Sequence, residues 1–135
     1  MSLRRSVLVV DRDLSWTGFC RQTLQDNGYD VHVAPRPDAC MNSLQHDAYD
    51  AILVATHLDG LCPLAGFAQI RQVASEAAVA AMASSYDPEY ARQAYRLGAA
   101  DYVMKTYQRN DITKAVEAMC VGRRSDSESA GDAVG

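Results

Sequence analysis

No stretch of this chain stays apolar long enough to cross a bilayer, no two cysteines are spaced C-x-x-C, no glycine-rich loop opens a helix, and basic residues are outnumbered by acidic ones. Each absence excludes something. A spanning helix needs about 20 consecutive apolar residues, whereas the basic start from Met1 to Arg5 is followed only by the short run Val7 to Val10. That is also too short for a signal peptide, so the expected location is the cytoplasm, away from any membrane. Cys20, Cys40, Cys62 and Cys120 are widely separated and have no histidine at metal-ligand spacing; free, mostly buried thiols are expected rather than a metal site. A formal net charge of -4 excludes a basic nucleic-acid surface, so any such contact would have to come from a further C-terminal domain. Without a phosphate-cradling loop, a nucleotide or flavin binder has little support.

What the chain does have is short apolar runs alternating with amphipathic stretches. Val7 to Val10 and Ala51 to Ala55 are too short for helices and lack alternation, which predicts strands buried on both faces. Val31 to Val33 alternates, as an edge strand does. Ala78 to Met82 is alanine-rich, and its position between two helical patterns makes it a strand; Asp101 to Met104 is the fifth. Helices are predicted between them. The first presents Trp16, Phe19, Cys20, Thr23, Leu24 and Asn27 and stops at Gly28. The second starts at Pro37 and runs to about His46, with Ala39, Cys40, Ser43 and Leu44 inward. After a loop punctuated by Pro63 and Gly66, a third carries Phe67, Ile70 and Val73. Asp87, Pro88 and Glu89 start a fourth, with Ala91, Ala94, Tyr95 and Leu97 leading to Gly98. Asn110 caps the last, whose apolar face is Ile112, Ala115, Val116 and Met119. From Gly122 on, small polar residues predict an unstructured tail, giving a compact domain over residues 1–121 and a flexible tail or linker over 122–135.

Strand and helix alternating five times predict an α/β fold: a doubly wound, five-stranded parallel sheet of order 2-1-3-4-5 in a three-layer α/β/α sandwich, the flavodoxin-like arrangement. Ligands and chemistry in such sheets gather beyond the carboxyl ends of the strands, at the switch between the first and third. Asp11, Ala55 and Lys105 would be neighbours there.

From about Ser6 to Val121 the chain resembles a response-regulator receiver domain, the phosphate-accepting module of two-component signalling. The resemblance rests on four segments in order: Val7-Leu8-Val9-Val10-Asp11, Asn27-Gly28-Tyr29-Asp30-Val31, Tyr49-Asp50-Ala51-Ile52-Leu53-Val54 and Leu97-Gly98-Ala99-Ala100-Asp101-Tyr102-Val103-Met104-Lys105. It implies a pocket formed by Asp11 and the residue after it at the first strand end, an acceptor at position 55, a hydroxyl at Ser84 or Ser85, and Lys105, with Tyr102 as the switch aromatic. It also implies a protein partner or a second copy bound through the face of the fourth helix, fifth strand and fifth helix.

Several of these positions depart from the pattern. The second acid is Arg12, the acceptor is Ala55, and the proline after the lysine is Thr106. A methyl group accepts no phosphoryl group, and Mg²⁺ needs oxygen ligands that Ala55 and Arg12 do not supply. The expectation is therefore a degenerate pocket, with no cofactor, no Mg²⁺ and no enzymatic activity, in a pseudo-receiver acting by protein contact. Arg12 either points into solvent or enters the pocket toward Asp11 or Asp13; Lys105 is expected to pair with Asp11. Alternatives are an unusual acceptor, for which Asp59 is the candidate, and redox-controlled dimerisation through Cys120. His57 reads as a loop histidine.

Overall fold

A computed structural model describes the backbone of residues 4–58 and 64–134, with side chains to residue 122. Asp59, Cys62 and Pro63 lie outside the described residues. The elements are β1 (Ser6–Val10), α1 (Leu14–Asp26), β2 (Asp30–Ala34), α2 (Pro37–His46), β3 (Ala51–Ala55), α3 (Ala65–Val73), β4 (Ala78–Ala83), α4 (Pro88–Arg96), β5 (Tyr102–Met104) and α5 (Arg109–Val134). All four strand pairs are parallel and the order is β2-β1-β3-β4-β5, as predicted.

The two apolar runs take the central places because only there are both faces of a strand covered. Successive side chains then divide between two layers. Leu8, Val10, Ile52, Val54, Val79 and Ala81 pack toward Cys40 of α2, Phe67 and Ile70 of α3, and Ala91 and Ala94 of α4. Val7, Val9, Ala51, Leu53, Ala80 and Met82 pack toward Trp16, Cys20 and Leu24 of α1 and Ile112, Val116 and Met119 of α5. Ile52 and Leu53 are adjacent in sequence, completely buried, and in opposite layers; truncating either to alanine would cost about 2–5 kcal/mol. The alanine-rich β4 holds its place through ladders on both sides, to β3 and β5. Tertiary pairing there outweighs weak local propensity.

Local chemistry sets several boundaries. Asp13 caps α1, its Oδ1 accepting from the N–H groups of Ser15 and Trp16, and Asp87 caps α4 in the same way through Glu89 and Tyr90. Gly28 and Gly98 adopt positive φ after α1 and α4, where a side chain would be strained.

Four expectations are corrected. Val73, expected on one face with Phe67 and Ile70, is 57% exposed, being the last residue of α3. β5 begins at Tyr102 rather than Asp101, whose Oδ1 instead accepts from the Tyr102 N–H. Asn110 lies inside α5, which starts one residue earlier. Its first turn is organised by Thr106, whose Oγ1 accepts from the Gln108 N–H and donates to Asp111. Finally, α5 does not give way to an unstructured tail at Gly122 but continues to Val134. No proline follows Pro88, and a helical glycine costs only about 1 kcal/mol.

Candidate functional site

The site lies beyond the carboxyl ends of β1, β3, β4 and β5. Register fixes its floor: Val10 pairs with Val54 and Ala55 with Met82, so Asp11, the residue after β1, lies beside Ala55, the last residue of β3. Asp11 is held there by its own N–H, which donates to the Ala34 carbonyl at 3.1 Å. Lys105 reaches the same place from the far side, its N–H donating to the Ala83 carbonyl at 2.9 Å.

Asp11 and Lys105 form a buried ion pair between Oδ2 and Nζ, with side chains only 5% and 11% exposed. The other Asp11 oxygen, Oδ1, accepts from the Asp13 N–H at 3.1 Å. Both carboxylate oxygens are therefore engaged. Removing two charges from water is costly, and the pair persists because each ion is the other's partner. Cys20 lies beneath it on α1. Burial, reinforced by the Asp11 carboxylate and partly offset by Lys105, pushes its thiol up to about 12. Burial alone raises Cys40 to about 11.

The remaining expected pocket residues are placed less tightly. Ala55 is buried at the tip of β3, 4% exposed. Arg12 takes the solvent alternative: its side chain is exposed and makes no ion pair with Asp11 or Asp13, the latter being committed to the α1 cap. Ser84 and Ser85 follow β4 and are both exposed, with no side-chain hydrogen bond among the described residues. The structure thus brings Asp11, Lys105 and Ala55 together and leaves Arg12 and Ser84 at the rim. Among the described residues no group of three or more His, Cys, Asp or Glu is placed to hold a metal ion.

Tyr102 is buried, its ring against Tyr86 with centroids 5.9 Å apart. Its hydroxyl is enclosed without a well-formed hydrogen bond, although Asp87 is close. Burial first, then the Asp87 carboxylate, raises its pKa. Tyr86 and Tyr95 flank it and are 64% and 51% exposed, and Tyr95 donates to Asp101 at 3.4 Å.

Two features were not anticipated. Thr56 continues the line of β3, buried, and its hydroxyl bonds His57 Nδ1 at 2.9 Å while the His57 ring meets Tyr90 of α4 edge-on. This is the loop histidine, anchored on both sides. Tyr107, with φ 57, folds back on Trp16 and Phe19 and donates to Ser15 Oγ. The polar end of the run Ala51 to Ala55 hinted at Thr56; nothing local hinted at the conformation of Tyr107.

A parallel sheet in this order, with an acid just after β1 paired to a lysine just after β5, defines a receiver-like α/β signalling module. The chain belongs to the response regulator receiver domain family, whose pattern matches residues 7–117. A curated relative, a glycerol metabolism activator from Pseudomonas putida, is 29% identical over 64% of this chain and 47% of its own length. The chain spans about half of that relative. Among solved structures, NtrX from Brucella abortus superposes with a TM-score of 0.88 at 21% identity, covering 96% of this chain and 29% of NtrX. A CheY-like receiver protein from Methanospirillum hungatei gives 0.83 at 15% identity, covering 91% and 98% of the two chains. At such identities the structures speak for the fold alone. No helix is long and apolar enough to cross a membrane among the described residues.

Proposed function

We propose that this receiver domain is a pseudo-receiver: it relays a signal by protein contact without aspartyl phosphorylation at the usual position. The observation that carries the reading is the methyl group of Ala55, buried at the tip of β3 beside an Asp11–Lys105 pair that already neutralises itself. A phosphoryl acceptor needs an oxygen nucleophile, and alanine has none. The donor set also does not fit Mg²⁺, which favours six oxygen ligands. One carboxylate faces the pocket, one of its oxygens is held by an ammonium and the other by an amide N–H, and Arg12 stands where a second acid would be needed.

The output surface in this reading is the α4, β5 and α5 face, where exposed Tyr86 and Tyr95 surround Tyr102 and offer aromatic area to a protein partner or a second copy. The domain acts in the cytoplasm and is not itself an enzyme. Where it serves transcription control, DNA contact falls to a further C-terminal domain, since a net charge of -4 supplies no basic surface here. Redox-controlled dimerisation through Cys120 finds no support, because that residue is 2% exposed.

The test is intact-mass spectrometry after incubation with acetyl phosphate and Mg²⁺. The expected result is no phosphoryl adduct on the native chain and a labile acyl-phosphate adduct on Ala55→Asp. An adduct on the native chain at comparable yield, mapped to any carboxylate, would overturn the reading.

A further inference from the structure

At the opposite end of the sheet a cavity of about 300 Å³ opens between the C-terminal ends of α2 and α3. Its floor is Tyr49 and Ile52, 5% and 0% exposed. Leu44, Val73, Ala74 and Ala77 line its sides. Val73 belongs to the apolar face of α3 by sequence, yet it is 57% exposed at the cavity's edge. An aliphatic side chain left in water beside an apolar recess loses the burial that would otherwise stabilise it, by roughly 25 cal/mol for each Å².

The rim has charge of one sign. Asp47 and Glu76 both line the cavity and no basic residue does. Both are exposed, and neither carboxylate has a hydrogen bond or ion pair among the described residues. The neighbouring cavity beyond Ser75 to Ala77 differs, because there the Arg71 guanidinium is spent on the carbonyls of Gly98 and Ser75. The Tyr49 hydroxyl is likewise engaged by His32 Nδ1 at 2.7 Å, which holds the ring as a fixed wall.

We infer that this recess is a binding site for a small aliphatic ammonium: a short hydrocarbon chain seated over Tyr49 between Leu44, Val73, Ala74 and Ala77, with its cationic head at Asp47 and Glu76. The cavity is at the lower end of the range for small-molecule sites, which runs from roughly 300 Å³, so the occupant is short. Apolar burial supplies the affinity, and the two unpaired carboxylates select the sign of charge. The site is far from Ala55, and the inference stands whether or not the phosphorylation reading does.

The experiment titrates the full, isotope-labelled chain at neutral pH with n-hexylammonium, n-hexanol and n-hexanoate, following backbone amide shifts. Hexylammonium is expected to give saturable shifts centred on Ala48, Tyr49, Val73, Ala74 and Ala77, hexanol a weaker set at the same amides, and hexanoate none. The surface double substitution Asp47→Asn with Glu76→Gln is expected to weaken hexylammonium binding about fivefold, to the level of hexanol. Val73→Ser is expected to weaken both. Equal binding of hexanoate, shifts centred elsewhere, an unchanged affinity in the double variant, or no saturable shift by hexylammonium would each overturn the assignment.

Discussion

The Asp11–Lys105 pair offers the sharpest test of how the pocket is held. Lys105→Met keeps the length of the side chain and removes its charge, leaving the Asp11 carboxylate buried with the Asp13 N–H as its remaining partner. An uncompensated buried charge costs about 3–5 kcal/mol, a large part of the 5–15 kcal/mol that stabilises a typical domain. Asp11→Asn keeps an acceptor for the Asp13 N–H and strands a lysine that retains some solvent access, so its cost is lower, about 1–3 kcal/mol. Combining the two leaves no buried charge, and the double variant is expected within about 1 kcal/mol of Asp11→Asn alone. The coupling energy then equals the Lys105→Met cost, about 3–5 kcal/mol. Urea unfolding followed by the fluorescence of Trp16, the sole tryptophan and completely buried, measures all four species. A Lys105→Met cost below about 1 kcal/mol, the size of an exposed salt bridge, would refute the claim that the pocket is closed by this pair.

Tyr102→Phe removes a hydroxyl that is enclosed without a well-formed hydrogen bond, so thermal unfolding is expected to be unchanged or to rise by up to about 1 kcal/mol of stability; a loss beyond that would show that the hydroxyl has a partner. Burial pushes the Cys20 and Cys40 thiols up to about 12 and about 11, from an ordinary thiol value of 9.0. Between about 9 and 12 the unfolded chain therefore gives up thiol protons that the folded chain keeps. Their contribution to stability is complete below pH 9 and is lost as pH rises, giving a steeper alkaline decline in the urea midpoint than in a Cys20→Ala, Cys40→Ala double variant. Asp13→Ala removes the α1 cap and is expected to cost about 1 kcal/mol, read from the same urea curves, without altering the ion pair.

The strand pattern was legible in the sequence because a parallel sheet covered on both faces needs unbroken apolar runs, and Val7 to Val10 and Ala51 to Ala55 have no other use. Strand order followed from the alternation of elements, and with it the meeting of Asp11, Ala55 and Lys105, whose positions at strand ends are a consequence of topology. The helix faces were legible only in their middles. Val73 carries the right spacing yet is exposed at the end of α3, because whether a residue near a helix end is covered depends on how far the layer below extends.

What the sequence determined by itself is the chemistry available at the tip of each strand, since residue identity does not change on folding: a methyl at 55, an arginine at 12, a lysine at 105. What tertiary structure decided is where flexible and polar groups go. Arg12 turns to solvent, because Lys105 already satisfies Asp11 and a second buried cation would have no counter-charge. Tyr102 turns inward against Tyr86, and Thr56 fastens His57 against α4. The recess bounded by Asp47 and Glu76 also belongs to this second group, since its walls come from segments far apart in the chain that share no local pattern.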